Sequence, residues 1–234
     1  MGAPMAPVVH LRDALALAGR FPALAGVDLD VSAGEVVVVR GANGAGKTSL
    51  LRVCAGLLAL TSGTGQVAGF DLRRGGRDLR CHVGLLGHAN NLYDDLTLEE
   101  NVRFAVASGG GRREEVAPAM AYFGLGGRLA RVPAGRCSTG QRRRCALAVL
   151  LARSPELWLL DEPHAGLDAE GRQLLAEIVD KGSARGVTIL VATHEGDPFG
   201  PHGAGAEGFR FREVVMGGGT VVSDVPASMA VAGT

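Results

Sequence analysis

Residues 36–51 read VVVVRGANGAGKTSLL, and the fold follows from how that stretch is read. Four consecutive valines form the continuous apolar run of a strand buried on both faces. The run passes into GANGAGKT (41–48), which fits the spacing G-x-x-x-x-G-K-[ST]. A helix follows, with Leu50, Leu51, Val53, Cys54, Leu57 and Leu58 at helical spacing. Strand, glycine loop and helix in this order predict a phosphate cradle. The glycines let backbone N–H groups turn inward, Lys47 reaches the β- and γ-phosphates, and Thr48 offers its hydroxyl to Mg²⁺. The helix N-terminus adds a favourable field for the anion. The candidate phosphate-binding residues are therefore Gly41, Ala42, Asn43, Gly44, Ala45, Gly46, Lys47, Thr48 and Ser49.

A second apolar run, LWLLDEP (157–163), carries Asp161 to the end of another strand, where ligands sit in folds of this type. Asp161 can hold Mg²⁺, and Glu162 beside it can orient the attacking water or accept its proton. Taken alone, the pair would be a solvated acidic strand end; beside a phosphate loop it reads as the other half of a nucleotide site. VATH (191–194) ends a third buried run at His194, a packing residue or a γ-phosphate contact.

The rest of the chain fits around these strands. It has 234 residues, 47% hydrophobic, with zero formal net charge and 4% aromatics. That balance supports a compact core. It argues against a general attraction to nucleic acid or anionic lipid, and against a stacking platform for single strands. The start, MGAPMAPVVHLRD, lacks the pattern of a signal peptide, and no apolar run approaches the ~20 residues of a membrane-spanning helix. The four cysteines form no C-x-x-C pair and read as reduced, mostly buried thiols. The pair Cys81-His82 has a haem or metal role as its minor alternative.

Residues 27–39 read as two short strands around a Ser-Ala-Gly turn, 61–72 as a hairpin region and 83–86 as a strand. Thr97 and Glu100 have capping-box spacing and start a helix that GGGRR (109–113) breaks; a second helix follows to about Phe123. Another helix is predicted over 169–185, then a strand at 187–194, a Gly/Pro-rich loop at 196–208 and a closing hairpin. The predicted fold is α/β: a parallel-sheet P-loop NTPase core of the RecA type with an antiparallel β edge and an inserted helical subdomain. It is one domain, with 1–91 and 151–234 as nucleotide-binding core and 92–150 as the helical part.

One stretch is left over. GRCSTGQRRR (135–144) makes a second anion-facing helix start, about ninety residues after the first. With it, the order becomes phosphate loop, helical block, CSTGQRRR, LWLLDEP, HAGLD, VATH. This order resembles the ATP-binding subunits of ATP-binding-cassette (ABC) transporters over nearly the whole chain, from about Val8 to Val225. The resemblance implies an ATPase that binds ATP with Mg²⁺. It also implies that two cassettes pack head to tail, with Ser138, Gly140 and Gln141 of one copy closing over the nucleotide of the other. Asp168 in AGLD (165–168) would anchor the loop between the two sites, or simply cap a turn and helix. Arg142, Arg143 and Arg144 read as a face of the helix that is at least partly solvated, since three successive residues cannot point one way.

Three positions depart from the family pattern. Thr139 has a side chain where the family often has none. His88 stands where the family usually carries a Gln that senses Mg²⁺ and the membrane partner. The adenine-stacking position falls near Ala18, which cannot stack; Phe21 is the nearest substitute, or else a core residue. LLGHANNLYDDLTLEENVRF, STGQRRRCALAVLL and LWLLDEPHAGLD look like the haem-exporter ATPases of cytochrome c maturation. That likeness implies a second ATPase copy and an integral-membrane permease, CcmB-like, reached from the cytoplasmic face of the membrane with membrane contact only through that partner. The alternatives are the ATPase of a drug, lipid or antibiotic exporter and, below it, a non-transport P-loop ATPase or a small-molecule kinase. A kinase has no use for STGQ, and a DNA-maintenance ATPase would carry a long coiled coil between Lys47 and Ser138.

Overall fold

The computed structural model describes residues 7–74, 78–194 and 211–226. The loop predicted at 196–208 lies outside them. The chain opens with two long antiparallel strands, β1 (Val9–Ala18) and β2 (Phe21–Val31), followed by β3 (Val36–Arg40) and α1 (Lys47–Cys54). Next come β4 (Ser62–Val67), β5 (Phe70–Asp71), the single turn α2 (Leu79–His82) and β6 (Val83–Leu86). The helical part comprises α3 (Leu98–Gly109), α4 (Val116–Tyr122) and α5 (Thr139–Arg153). The alternation then resumes with β7 (Leu157–Asp161), α6 (Ala169–Ala184), β8 (Thr188–Ala192) and a hairpin, β9 (Arg212–Gly217) and β10 (Thr220–Val225).

Two sheets result. One is antiparallel, in the order β2-β1-β4-β5; the other runs β10-β9-β3-β8-β7-β6. Strands β9, β3, β8, β7 and β6 are mutually parallel, and β10 returns antiparallel at the edge. The valine run explains its central place. Val36 and Val38 pack with Leu86, Trp158, Leu160, Ile189 and Val191 against the helices α3 to α6. Val37 and Val39 face the other way, with Leu157, Leu159, Leu190 and Val214, toward α1 and the antiparallel sheet. A period of two thus feeds two separate cores. The helical part has no core of its own: α3, α4 and α5 share theirs with one face of the parallel sheet. The 150/151 boundary falls inside α5, which continues to Arg153 and ends at the left-handed Ser154.

Two expectations need correction, and one strand carries no regular sequence signal. The helix after the phosphate loop stops at Cys54 and closes through Ala55 and Gly56, so Leu57 lies outside it and is exposed. Strand β1 shows no regular alternation because its apolar residues change phase. Val9 and Leu11 point inward, a bulge with left-handed Asp13 intervenes, and Ala14 and Ala16 then point inward. Among the cysteines only Cys54 and Cys145 are buried, and burial pushes each thiol up to about 12; Cys137 is half-buried and Cys81 exposed. His82, next to Cys81, places Nδ1 2.6 Å from a Glu156 carboxylate oxygen.

Candidate functional site

The phosphate loop enters from β3, one of the two central strands, and leaves as α1. Gly46 is the pivot. It stands at the N-cap of α1 with φ 104°, a left-handed conformation that side-chain residues rarely adopt. A Cβ there would meet the Ala23 carbonyl oxygen at 2.8 Å and the Gly219 Cα at 3.2 Å. The β9–β10 turn closes the other side, with Gly219 N–H donating to the Ala45 carbonyl at 3.1 Å and Ala25 N–H to the Gly219 carbonyl at 2.9 Å. Gly46→Ala therefore strains the loop by about 1–3 kcal/mol. Its expected signature is a lowered melting temperature with weakened binding of a fluorescent ATP analogue; parent-like affinity in titration would contradict this placement.

Lys47 is buried, and its Nζ donates to the carbonyls of Gly41 (2.6 Å) and Ala42 (3.1 Å) across its own loop. An ammonium has three donors, so the cation sits inside the ring of loop backbone. The Thr48 hydroxyl is 2.9 and 3.1 Å from the two Asp161 carboxylate oxygens, which joins the end of β7 to the start of α1. Burial raises the Asp161 pKa, with the Thr48 hydrogen bond acting against the shift. A poorly solvated carboxylate beside a hydroxyl is a hard-oxygen pair suited to a small divalent cation.

Glu162 takes a left-handed φ of 46°. Its N–H donates to the Ala192 carbonyl at 2.9 Å, which ties it to the end of β8. Its Oε1 accepts from the His194 backbone N–H at 3.1 Å and lies 2.6 Å from His194 Nδ1; its Oε2 is 3.5 Å from His164 Nε2. Ala23, residues 43–49, Asp161 and Glu162 line one cavity of about 310 Å³. Gly41 and Ala42 join it through Lys47, and His194 through Glu162. The structure thus brings together the phosphate loop, Asp161, Glu162 and His194.

Ser138 lies elsewhere. It caps α5: its hydroxyl accepts from Gln141 N–H at 3.2 Å, and the Gln141 side-chain oxygen accepts from Ser138 N–H at 2.9 Å. The sequence STGQ is therefore a capping box as well as an anion-facing helix start. Ser138, Gly140, Gln141, Arg144 and Asp168 line a different cavity, of about 340 Å³, that shares no wall residue with the first. A side chain at Gly166 would come within 3.4 Å of the Thr139 methyl, so that methyl faces the loop 163–168 of its own chain. Asp168 caps α6 by accepting from Gly171 N–H at 2.8 Å, and it also receives Arg144 Nη2 at 2.8 and 3.0 Å.

The reading of the three arginines as a partly solvated face holds for Arg142 and Arg144, whose ion pairs lie at the surface, and fails for Arg143. Arg142 Nη1 donates to Asp94 (2.5 Å) and to the Ala134 carbonyl (3.0 Å). Arg144 pairs with Asp168 and Glu170. Arg143 is only 2% exposed and reaches the segments that follow β6 and β7. A sequence signal for this existed: Arg143, Leu147 and Leu150 stand at i, i+4 and i+7 on the buried stripe of α5.

Phe21 is 79% exposed, opposite Ala18 across the tip of the β1–β2 hairpin, which removes the core alternative for it. His88 is exposed in the loop after β6 and lines neither cavity. Beside that loop runs a third concavity, a groove of about 480 Å³ with Leu57, Tyr93 and Phe104 exposed along it. Among the described residues no helix is long and apolar enough to cross a membrane.

Residues 24–165 match the family model described as ABC transporter. The chain is 42% identical over 182 residues to the cytochrome c biogenesis ATP-binding export protein CcmA of Bordetella bronchiseptica, covering 77% of this chain and 81% of that one. It is 43% identical over 170 residues to the CcmA of Rhodopseudomonas palustris, covering 73% and 83%. Among solved structures, an ATP-binding subunit of an ABC transporter superposes with a TM-score of 0.81 at 25% identity, over 94% of this chain and 90% of that one. A dimeric ATP-binding cassette bound to ADP and Pi shares the fold, with a TM-score of 0.80 at 24% identity over 94% and 98%.

Proposed function

The chain belongs to the ABC transporter family as an ATP-hydrolysing cassette, and from that premise we propose that it fires only as a head-to-tail pair and drives export for cytochrome c biogenesis. The observation that carries the pairing is the separation of the two cavities. The phosphate loop, Asp161 and Glu162 line one; Ser138, Gly140 and Gln141 line the other. In a two-fold dimer the loop of each copy faces the α5 start of its partner, and two sites close at once. ATP then holds the halves together, and loss of the γ-phosphate contacts releases them.

Within each site Lys47 and the loop N–H groups hold the phosphates. Thr48 and Asp161 would hold Mg²⁺, which when bound offsets phosphate charge. Glu162 takes the proton of the water that attacks the γ-phosphorus while the bond to the bridging oxygen of ADP breaks. His194, against Glu162 Oε1, holds that carboxylate in place and faces the γ-phosphate. Ser138 and the Gly140 N–H complete the γ-phosphate shell from the partner copy. Phe21, exposed at the hairpin tip, supplies the face for adenine. The groove beside His88 receives a cytoplasmic segment of a membrane permease, through which the cassette is held at the membrane. The CcmA relatives support export, with haem as the cargo that the sequence resemblance implies. For the pairing, turnover per chain should rise with protein concentration and level off as the dimer fills. A per-chain rate independent of concentration, with light scattering reporting monomer throughout, would overturn it.

A further inference from the structure

We propose that Arg143 is a positioning residue that fixes the backbone of Glu162 and ties it to the loop 87–90. The inference rests on the reading of Glu162 as the group that activates water, and it assigns a cause for where that group stands. The guanidinium has five N–H donors, and five acceptors surround it. Nε donates to the Pro163 carbonyl at 3.2 Å. Nη1 donates to the Gly87 carbonyl at 2.6 Å and to the Asn90 side-chain oxygen at 3.2 Å. Nη2 donates to the carbonyls of Glu162 at 2.9 Å and Asp161 at 3.3 Å. Three consecutive carbonyls, from Asp161 to Pro163, thus converge on one planar cation carried by α5.

This convergence matters because Glu162 is left-handed, a conformation that a side-chain residue keeps only when its surroundings impose it. Its N–H is held by Ala192 and its carbonyl by Arg143. Burial lowers the Arg143 pKa to about 10, with the Asp161 carboxylate opposing the shift, so the group remains a cation at neutral pH. Among the described residues no carboxylate touches it; carbonyl dipoles solvate it instead. Such a site suits a rigid fork and not an ammonium, which cannot address five fixed directions. The same fork grips Gly87 and Asn90, and Asn90 also forms part of the wall of the exposed groove. Movement of that wall is therefore linked by two hydrogen bonds to the peptide that carries Glu162.

The test compares Arg143→Gln, Arg143→Lys and Glu162→Gln in steady-state ATP hydrolysis, with nucleotide binding measured on each variant. Glu162→Gln must first lose turnover; if it does not, the reading of Glu162 fails and Arg143 is not in question. With that established, Arg143→Gln should lower kcat by roughly tenfold to a hundredfold, the range of a small displacement of a catalytic group. KM and nucleotide affinity should change by less than about threefold, and Arg143→Lys should recover little. Added to Glu162→Gln, Arg143→Gln should cost nothing further, because the two act as a unit. An additive loss, or a kcat that falls only with nucleotide affinity, would make Arg143 merely structural and overturn the inference. Should Arg143→Gln fail to fold, Asn90→Ala decides: it removes one of the five acceptors, so kcat should fall about twofold to fivefold at constant KM, a smaller step of the same kind. A kcat equal to the parent's would overturn the inference.

Discussion

Glu162→Gln should lower ATP turnover by about 10²- to 10⁴-fold, the usual contribution of a positioned general base, while leaving ATP affinity within about threefold of the parent. The amide is nearly isosteric with the carboxylate. It can still receive the His194 N–H at the position of Oε1, so the loop 161–164 keeps its shape. What disappears is the capacity to take a proton from water. The variant should therefore load ATP, close as a dimer and stay closed, because the γ-phosphate contacts across the seam persist. Size-exclusion chromatography with ATP and Mg²⁺ should show a dimer that neither the nucleotide-free variant nor the ADP complex forms. A variant that turns over like the parent, or that remains monomeric with ATP bound, would remove Glu162 from the role given to it.

Lys47→Ala acts one step earlier. Its ammonium lies within the ring of loop backbone, donating to the carbonyls of Gly41 and Ala42, from where it can turn to a phosphate with little loss of order. A charge-assisted hydrogen bond of this kind contributes about 1.5–3 kcal/mol, so nucleotide affinity should fall roughly 10- to 100-fold and hydrolysis with it. Equilibrium titration with a fluorescent ATP analogue reads this directly. The melting temperature without nucleotide should move far less than the affinity, since among the described residues Lys47 Nζ bonds only its own loop. Unchanged affinity would dissociate the loop from phosphate binding altogether.

The two substitutions mark what was legible in the sequence. The phosphate loop could be read because its chemistry is local: glycines, Lys47 and Thr48 in eight residues between a valine run and a helix. Asp161 and Glu162 could be read because a run of four apolar strand residues fixes which residues reach its end. The pairing of Thr48 with Asp161 follows once both are placed on adjacent elements. Arg143 was visible only as one of three arginines. Its insertion depends on the rotation of α5 about its axis, which the apolar stripe encodes but the RRR run obscures. Strand β1 is hidden in the sequence by a bulge that reverses its inward phase at Asp13. The helix after the loop is shorter than its apolar spacing predicts, because Leu57 continues the spacing while Gly56, at positive φ, ends the helix before it. In the last two, a backbone conformation overrides a periodicity.

The central claim is that one reaction centre is built from two protomers, and complementation tests it most directly. Lys47→Ala disables the loop side. Gly140→Asp disables the α5 side: a Cβ there meets only the Gly166 carbonyl oxygen, at an ordinary 3.5 Å, and a carboxylate in the first turn of α5 suits the helix dipole while repelling a phosphate. Each variant alone should be nearly inactive, because both sites of each homodimer are spoiled. In a mixed dimer both defects fall in the same site and the other site is intact. Mixing the two proteins should therefore restore turnover well above the sum of the separate rates. A mixture no more active than its components would mean that each chain completes its own site, and the account would be wrong.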